Sequence, residues 1–222
     1  MQTTDYWQNR WKNNETGWHE PLPHPLLAEY YPQLALEQGD TVFVPFCGAS
    51  VDMAFLARCG YRVIGVEISP KACAQFFTEQ GLPYTQHPLP PFDCYQGEHI
   101  LIYCGDYFAL TAALLGEAKA VYDRAAFVAI SPTERYAYLN QLCHLMPPAF
   151  SVLLVTLYYH NAHQGPPYNC LPNLTQKVLA SAFDVSLLKE VGDTPVCQHL
   201  QGRGFMQLRE QLYYLTAKSS HA

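Results

Sequence analysis

The chain has 222 residues, of which 49% are hydrophobic and 14% charged, and its formal net charge is −6. This length fits one α/β domain, and so high an apolar content excludes an intrinsically disordered chain. The negative charge would repel a phosphate backbone, so we expect no nucleic-acid partner.

The ends and the apolar runs exclude further classes. The first 17 residues are polar and lack the apolar core of a secretory signal, so we expect a cytoplasmic protein. The longest nearly apolar run, residues 150–157, is far shorter than the ~18 to 20 residues that span a bilayer, so we expect a soluble protein with no membrane contact. Eight cysteines occur without a CxxC pair, which favours buried, reduced thiols over disulfides or a metal site.

The first ordered element is predicted near the N-terminus. Trp7 and Trp11 lie four positions apart, so they share one face if this segment is a helix. That spacing alone favours a helix packed on a core over a face turned to a ligand.

A strand, loop, helix and strand follow. Residues 41–46 form an apolar run, residues 47–50 a tight loop, and residues 51–59 have helical spacing that ends at Gly60. Residues 62–67 form the second strand. The segment is therefore predicted to be a right-handed βαβ unit with two parallel strands.

The same alternation continues to the C-terminus. Helices are predicted at residues 70–81, 131–146 and 173–182, and strands at 99–104, 119–123, 150–157, 185–189 and 207–217. The helix at residue 131 is predicted to open with a capping box, Ser131 to Glu134. We therefore expect one domain, residues 1–222, built on a doubly wound, mostly parallel seven-stranded sheet with helices on both faces.

The carboxyl end of the second strand is the most informative position. In such sheets ligands bind beyond the carboxyl ends of the strands, where Glu67 follows Gly48 by 19 residues and can accept both hydroxyls of a ribose. The loop at residues 45–50 has one glycine, whereas pyrophosphate binding favours three, so a dinucleotide is disfavoured. S-adenosylmethionine fits this pattern. The alternative is a glutamate solvated at the edge of the sheet.

Several motifs resemble those of one family over nearly the whole chain. They are WQNRW (7–11), GWH (17–19), VPFCG (44–48), GVEIS (65–69), CGDYF (104–108), VYDRAAFVA (121–129) and GPPY (165–168). In order and spacing they resemble the motifs of thiopurine S-methyltransferases. The resemblance implies a class I methyltransferase fold, S-adenosylmethionine as methyl donor, and an N-terminal segment, residues 1–40, that covers the donor site.

The resemblance also implies roles for individual residues. Six fall at donor-contacting positions: Trp11, Phe46, Glu67, Asp106, Tyr107 and Arg124. Four are expected on the acceptor side: Trp18, His19, Tyr168 and His199. No general base is required if the acceptor is already a thiolate, so no catalytic residue is assigned.

Some positions depart from the family pattern. The family commonly has Leu where this chain has Phe46, Lys where it has Ala49, and Phe where it has Trp18 and Tyr168. Where this chain has His199, the family tends to have Arg. Because several of these lie on the acceptor side, we expect this protein to differ from its relatives in acceptor range rather than in donor use.

Alternatives remain for single residues. Arg124 either pairs with a structural carboxylate such as Asp123 or faces the carboxylate of a ligand. His19 either lies exposed in a loop or faces the acceptor. His160 and His163 have the spacing of metal ligands on a helix, but their Pro- and Gly-rich segment favours solvated loop histidines.

We therefore predict a monomeric enzyme that methylates a small soft nucleophile, chiefly an aromatic or heterocyclic thiol. The alternatives are a non-catalytic binder of such compounds, an enzyme acting on selenium or tellurium oxyanions, and a nicotinamide-dependent oxidoreductase. The single-glycine loop argues against the last of these.

Overall fold

The computed structural model describes residues 4–160, 165–194, 205 and 208–218, in which helices and strands alternate. The helices are α1 (Thr4–Lys12), α2 (Pro25–Tyr30), α3 (Val51–Arg58), α4 (Pro70–Gln80), α5 (Ala112–Leu115), α6 (Ala126–Ala129), α7 (Arg135–Leu145) and α8 (Pro172–Leu179). The strands are β1 (Thr41–Pro45), β2 (Arg62–Glu67), β3 (Thr85–Leu89), β4 (Phe92–Gln96), β5 (Ile100–Cys104), β6 (Ala118–Asp123), β7 (Ser151–Tyr158), β8 (Phe183–Thr194) and β9 (Leu208–Ala217).

All of these strands form one sheet in the order β3-β4-β5-β2-β1-β6-β7-β9-β8. The five central strands, β5 to β7 in that order, pair in parallel, and antiparallel strands extend both edges. The chain builds outward from β1 first through β2 and β5 and then, on the other side, through β6 and β7. The strand order therefore reverses between β1 and β6, which is where such sheets bind ligands.

Alternate residues of the central strands enter two separate cores. In β1, Phe43 packs on the side of α7 and α8, while Val42 and Val44 pack on the side of α3 and α4. This period of two places helices on both faces of the sheet. The predicted α/β class and doubly wound parallel core are confirmed.

Short polar residues begin and end the helices that lead to the site. Ser50 and Ser69 cap α3 and α4 by accepting backbone N–H groups from Asp52 and Ala72. Gly81 ends α4 in the left-handed conformation at φ 62°.

Two sequence predictions need correction. The sheet has nine strands rather than seven, because β3 and β4 form an antiparallel hairpin that extends it. Every residue of β3 is exposed, so this edge strand lacks the apolar alternation that predicts a strand. Helix α7 begins at Arg135 rather than 131, because the hydroxyl of Ser131 donates to the carboxylate of Glu134 within a turn that precedes the helix.

Among the described residues, no helix has the length and apolarity needed to cross a membrane. The seven cysteines in this part of the chain are all free thiols, and Cys197 lies outside it.

Candidate active site

A cavity of about 500 Å³ opens at the carboxyl ends of the parallel strands, beside the point where the strand order reverses. Its floor is formed by the loops after β1, β2 and β5, which contribute residues 44–50, 66–68 and 105–107. Residues from the end of β6, from β7 and from the N-terminal segment complete the walls. The ends of β1, β2, β5 and β6 therefore meet in one cavity.

Glu67 lies at the tip of β2, and its side chain is only 6% exposed. Its Oε2 accepts the N–H of Gly48 at 3.0 Å, and its Oε1 accepts the N–H of Ser69 at 2.8 Å. Burial raises the pKa of this carboxyl to about 7, although the backbone N–H groups act in the opposite direction. Each oxygen retains capacity for a second hydrogen bond, as a vicinal diol requires.

The loop after β1 is shaped by two residues with positive φ, Phe46 at 49° and Gly48 at 54°. A Cβ at Gly48 would lie 2.9 Å from Cζ2 of Trp11, whose side chain is 2% exposed. The indole of α1 therefore rests directly on the loop, and only glycine permits this approach together with this φ.

The loop after β5 presents a polar and an aromatic residue. A side chain at Gly105 would collide with the ring of Phe92, so only glycine fits before Asp106. Asp106 accepts the N–H of Phe108 at 3.0 Å through one oxygen. Tyr107 is buried, and the ring of Phe46 meets it edge-on at 5.4 Å.

Arg124 lines the cavity at the end of β6, and its side chain is 23% exposed. Its nearest carboxylate is that of Asp52, with Nη1 4.0 Å from Oδ2. Asp52 is buried in α3 and also accepts the hydroxyl of Tyr122 at 3.0 Å and the N–H of His24 at 2.8 Å. Because 4.0 Å is too long for a hydrogen bond, this contact leaves guanidinium donors for a ligand.

The alternative in which Asp123 is the structural partner of Arg124 is therefore wrong. Asp123 points away, accepts the backbone N–H groups of Ala126 and Phe127, and accepts the hydroxyl of Tyr138 at 2.6 Å. Burial raises the pKa of Asp123 to about 6. Its role is to hold the start of α6.

Trp18 and His19 both line the cavity. The Trp18 ring meets the rings of Trp7 and Trp11 edge-on, at 5.6 and 6.1 Å. His19 Nε2 lies 2.9 Å from Oε2 of Glu79 in α4, a partner that the sequence did not indicate. His19 is thus neither a freely solvated loop residue nor turned only toward the cavity.

One acceptor-side candidate, Tyr168, does not line the cavity. Tyr168 is fixed through its N–H to the carbonyl of Val128 at 2.6 Å, but Pro166 and Pro167, rather than Tyr168, line the wall. His199 lies outside the described residues, as does His163. Over the part of the chain that is described, no three His, Cys, Asp or Glu residues group as metal ligands.

Sequence reasoning missed several polar residues at the β6, β7 and β9 side of the cavity: Asp52, Tyr122, Thr156 and Glu210. Asp52 had a signal, because it is a carboxylate in an otherwise apolar helical segment. Thr156 and Glu210 had none, because polar residues are common in strands that end at the surface.

Comparison with protein families gives one match that covers most of the chain. The family model described as thiopurine S-methyltransferase matches residues 2–218. Two similar relatives are the thiopurine S-methyltransferases of Nitrosomonas eutropha and Pseudomonas entomophila. Each is 38% identical, over 95% of this chain and 96% and 98% of the relative, respectively.

Solved structures agree on the fold. An S-adenosylmethionine-dependent methyltransferase from Anabaena variabilis matches with a TM-score of 0.65 at 16% identity, over 98% of this chain and 96% of that one. The magnesium protoporphyrin IX methyltransferase of Synechocystis, with S-adenosylmethionine bound, matches with a TM-score of 0.62 at 12% identity, over 98% of each chain. At such low identity these likenesses establish the fold alone.

Proposed function

Because the chain belongs to the thiopurine S-methyltransferase family, we propose that its cavity binds S-adenosylmethionine beside a heteroaromatic thiol and transfers the methyl group to sulfur. The protein is an S-adenosylmethionine-dependent methyltransferase by family and fold. Its acceptor and the role of each residue are the parts that we infer.

The observation that carries this proposal is the Glu67 carboxyl, which is buried at the strand tip and faces the cavity. Each of its oxygens accepts one backbone N–H and has room for one hydroxyl of a ribose. A buried carboxylate with spare acceptor capacity is costly unless a ligand uses it. The donor set therefore fits an adenosine.

The other donor contacts follow from the positions around Glu67. We assign the adenine to the side of Phe46, Asp106 and Tyr107, and the carboxylate of the amino-acid end to Arg124. Trp11 closes the site from α1, so residues 1–40 act as its cover.

S-adenosylmethionine, when bound, supplies a methyl group activated by a sulfonium. What the chain contributes is alignment of the acceptor and exclusion of water. Trp18 and the apolar residues Val155, Leu157 and Leu208 provide walls for a flat aromatic acceptor. An aromatic thiol that is already a thiolate at neutral pH presents the nucleophile itself, so no general base is assigned.

Turnover with methyl-labelled donor tests the proposal. We expect label on the sulfur of thiophenol or 6-mercaptopurine at a rate that depends on enzyme concentration. Label transferred only to selenite or tellurite would favour the metalloid alternative, and donor binding without transfer to any acceptor would favour a non-catalytic protein.

We also infer a cytoplasmic monomer. The seven free cysteines among the described residues support a reducing compartment. Sedimentation equilibrium near 25.1 kDa is the expected result, and a mass of twice that value would contradict it.

A further inference from the structure

The β7 and β9 side of the cavity contains a carboxylate, that of Glu210, that no step above uses. Glu210 lines the cavity, and its side chain is 19% exposed. Its one polar contact among the described residues is from Oε1 to Nε2 of His24, at 3.4 Å. That distance exceeds the usual range of a good hydrogen bond, and Oε2 has no partner in the same part of the chain.

The neighbouring strand β7 contributes a buried hydroxyl, that of Thr156. Thr156 is fully buried and lines the cavity, and its Oγ1 has no hydrogen-bond partner among the described residues. Buried polar atoms of proteins are nearly always paired. The strand pairing places Thr156 opposite Gln211 and Leu157 opposite Glu210, so the side chains of Thr156 and Glu210 lie on opposite faces of the sheet. The polar side chain that faces a ligand beside Leu157 is therefore that of Glu210.

This wall carries side chains of both charges. The hydroxyl of Tyr122 is under the influence of Asp52 and Glu210, which raise its pKa beyond the effect of burial, and of Arg124, which lowers it. Arg124 and Glu210 thus lie within electrostatic reach of one hydroxyl. A ligand here meets a cation and an anion at once.

The remaining walls are flat and apolar. Val155, Leu157, Pro166, Pro167 and Leu208 surround this end of the cavity. Apolar side chains of this kind provide contact surface for a planar aromatic ring. A ring N–H of such a molecule is complementary to the carboxylate of Glu210.

On the basis of the proposed function, we propose that Glu210 is a specificity-determining residue that accepts a hydrogen bond from a ring N–H of the acceptor. It favours heteroaromatic thiols that carry such a donor over aromatic thiols that do not. A site built to bond an N–H discriminates against an analogue without one, because its own polar group is then left unpaired.

The test compares two acceptors in one variant. We measure kcat/KM for 6-mercaptopurine, which has a ring N–H, and for thiophenol, which has none. Glu210→Gln keeps the size of the side chain and removes its charge. Glu190→Gln is the matched control, because Glu190 lies on the adjacent strand β8, pairs with Gln211 and Arg209, and does not line the cavity.

We expect Glu210→Gln to lower the ratio of the two kcat/KM values, 6-mercaptopurine over thiophenol, about tenfold. The control should leave this ratio within twofold of the parent. Affinity for S-adenosylhomocysteine should not change, which shows that the variant is folded. If it is not folded, Glu210→Asp keeps the charge but withdraws it by one methylene, and the ratio should then fall by a smaller factor.

An unchanged ratio in folded Glu210→Gln overturns the assignment, as does an equal fall for both acceptors. A parent enzyme that binds the donor product but methylates neither acceptor overturns the proposed function itself, and the assignment of Glu210 with it. The two failures are distinguished by the parent's own turnover.

Discussion

The buried carboxyl of Glu67 couples the stability of the fold to pH. Its pKa rises from 4.5 to about 7 because burial disfavours the charged form. Between these pH values the folded protein holds a proton that the unfolded chain has lost. The contribution of Glu67 to the free energy of unfolding is therefore largest below pH 4.5 and falls as the pH rises to 7. The fold tolerates this cost at the position that we propose holds the ribose.

Replacing Glu67 with Gln should weaken S-adenosylhomocysteine binding by roughly 1.5 to 3 kcal/mol, the range for a hydrogen bond to a charged group. The amide keeps the shape of the side chain but provides one acceptor in place of two. Calorimetry of both proteins at one ionic strength measures the difference. Equal affinities would show that this carboxylate does not hold the ribose.

The same carboxyl predicts a pH dependence. If only the carboxylate accepts both ribose hydroxyls, the fraction of competent protein falls below pH 7. We expect the parent's Kd for S-adenosylhomocysteine to weaken about tenfold between pH 8 and pH 6. The Glu67→Gln variant should show a flatter profile over this range. A flat profile in the parent would show that binding does not depend on the ionisation of Glu67.

At the scale of elements, α1 is fixed to the sheet by a contact of side chain on backbone. Trp11 rests on Gly48, and the amide of Gln8 donates to the carbonyl of Ile68 at 3.1 Å. The helix thereby reaches two of the loops that form the floor of the cavity. Its position and the shape of the donor site are linked.

Gly48→Ala tests this link. The added Cβ would meet Trp11 at 2.9 Å in a backbone with φ +54°, so either the helix or the loop must shift. Gly81→Ala is the control, because its φ is +62° and no atom lies within 4 Å. We expect the control to lose about 1 kcal/mol of stability and Gly48→Ala about 1 to 3 kcal/mol more.

Urea unfolding of the two variants measures these losses, and calorimetry adds a second readout. Only Gly48→Ala should bind S-adenosylhomocysteine more weakly than the parent. Matching behaviour of the two alanine variants would mean that the indole contact contributes nothing to the site.

How far the elements could be predicted depends on where their residues are buried. The parallel strands β1, β2, β5, β6 and β7 are apolar runs and were all found. The hairpin β3–β4 was missed, because the fully exposed residues of β3 are held by pairing with β4 rather than by a buried face. The start of α7 was predicted too early. The contact between the side chains of Ser131 and Glu134, which is typical of a capping box, also forms within a turn that precedes a helix.

For the whole molecule, the cavity residues at the ends of the parallel strands were predictable, and those that β7 and β9 contribute were not. Glu67, Asp106 and Arg124 follow strands in sequence, so the rule of carboxyl ends places them together. Glu210 is 143 positions from Glu67 and reaches the cavity only through the antiparallel pairing of β9 with β7. No local pattern in the sequence predicts that Glu210 lies beside this cavity.

The expectation of an altered acceptor range stays a prediction. It relied partly on His199, which is outside the described residues, and on Tyr168, which does not line the cavity. Trp18 does line it. The comparison of 6-mercaptopurine with thiophenol in the parent enzyme measures this range directly.

Thermal unfolding tests the molecule as a unit. A ligand that binds only the folded state at a hundred times its Kd adds about 2.7 kcal/mol of stability. For a chain of this size that corresponds to a rise in Tm of about 5 to 10 °C. We expect this shift with S-adenosylhomocysteine, and a comparable shift with NADH would contradict the selectivity inferred from the single-glycine loop.

We infer that the cavity at the carboxyl ends of the parallel strands is the methyl-donor site. Titration calorimetry of the full chain with S-adenosylhomocysteine tests it most directly. We expect one binding site for S-adenosylhomocysteine per chain and no binding of NADH under the same conditions. Absence of heat at millimolar S-adenosylhomocysteine, at two temperatures, would contradict it.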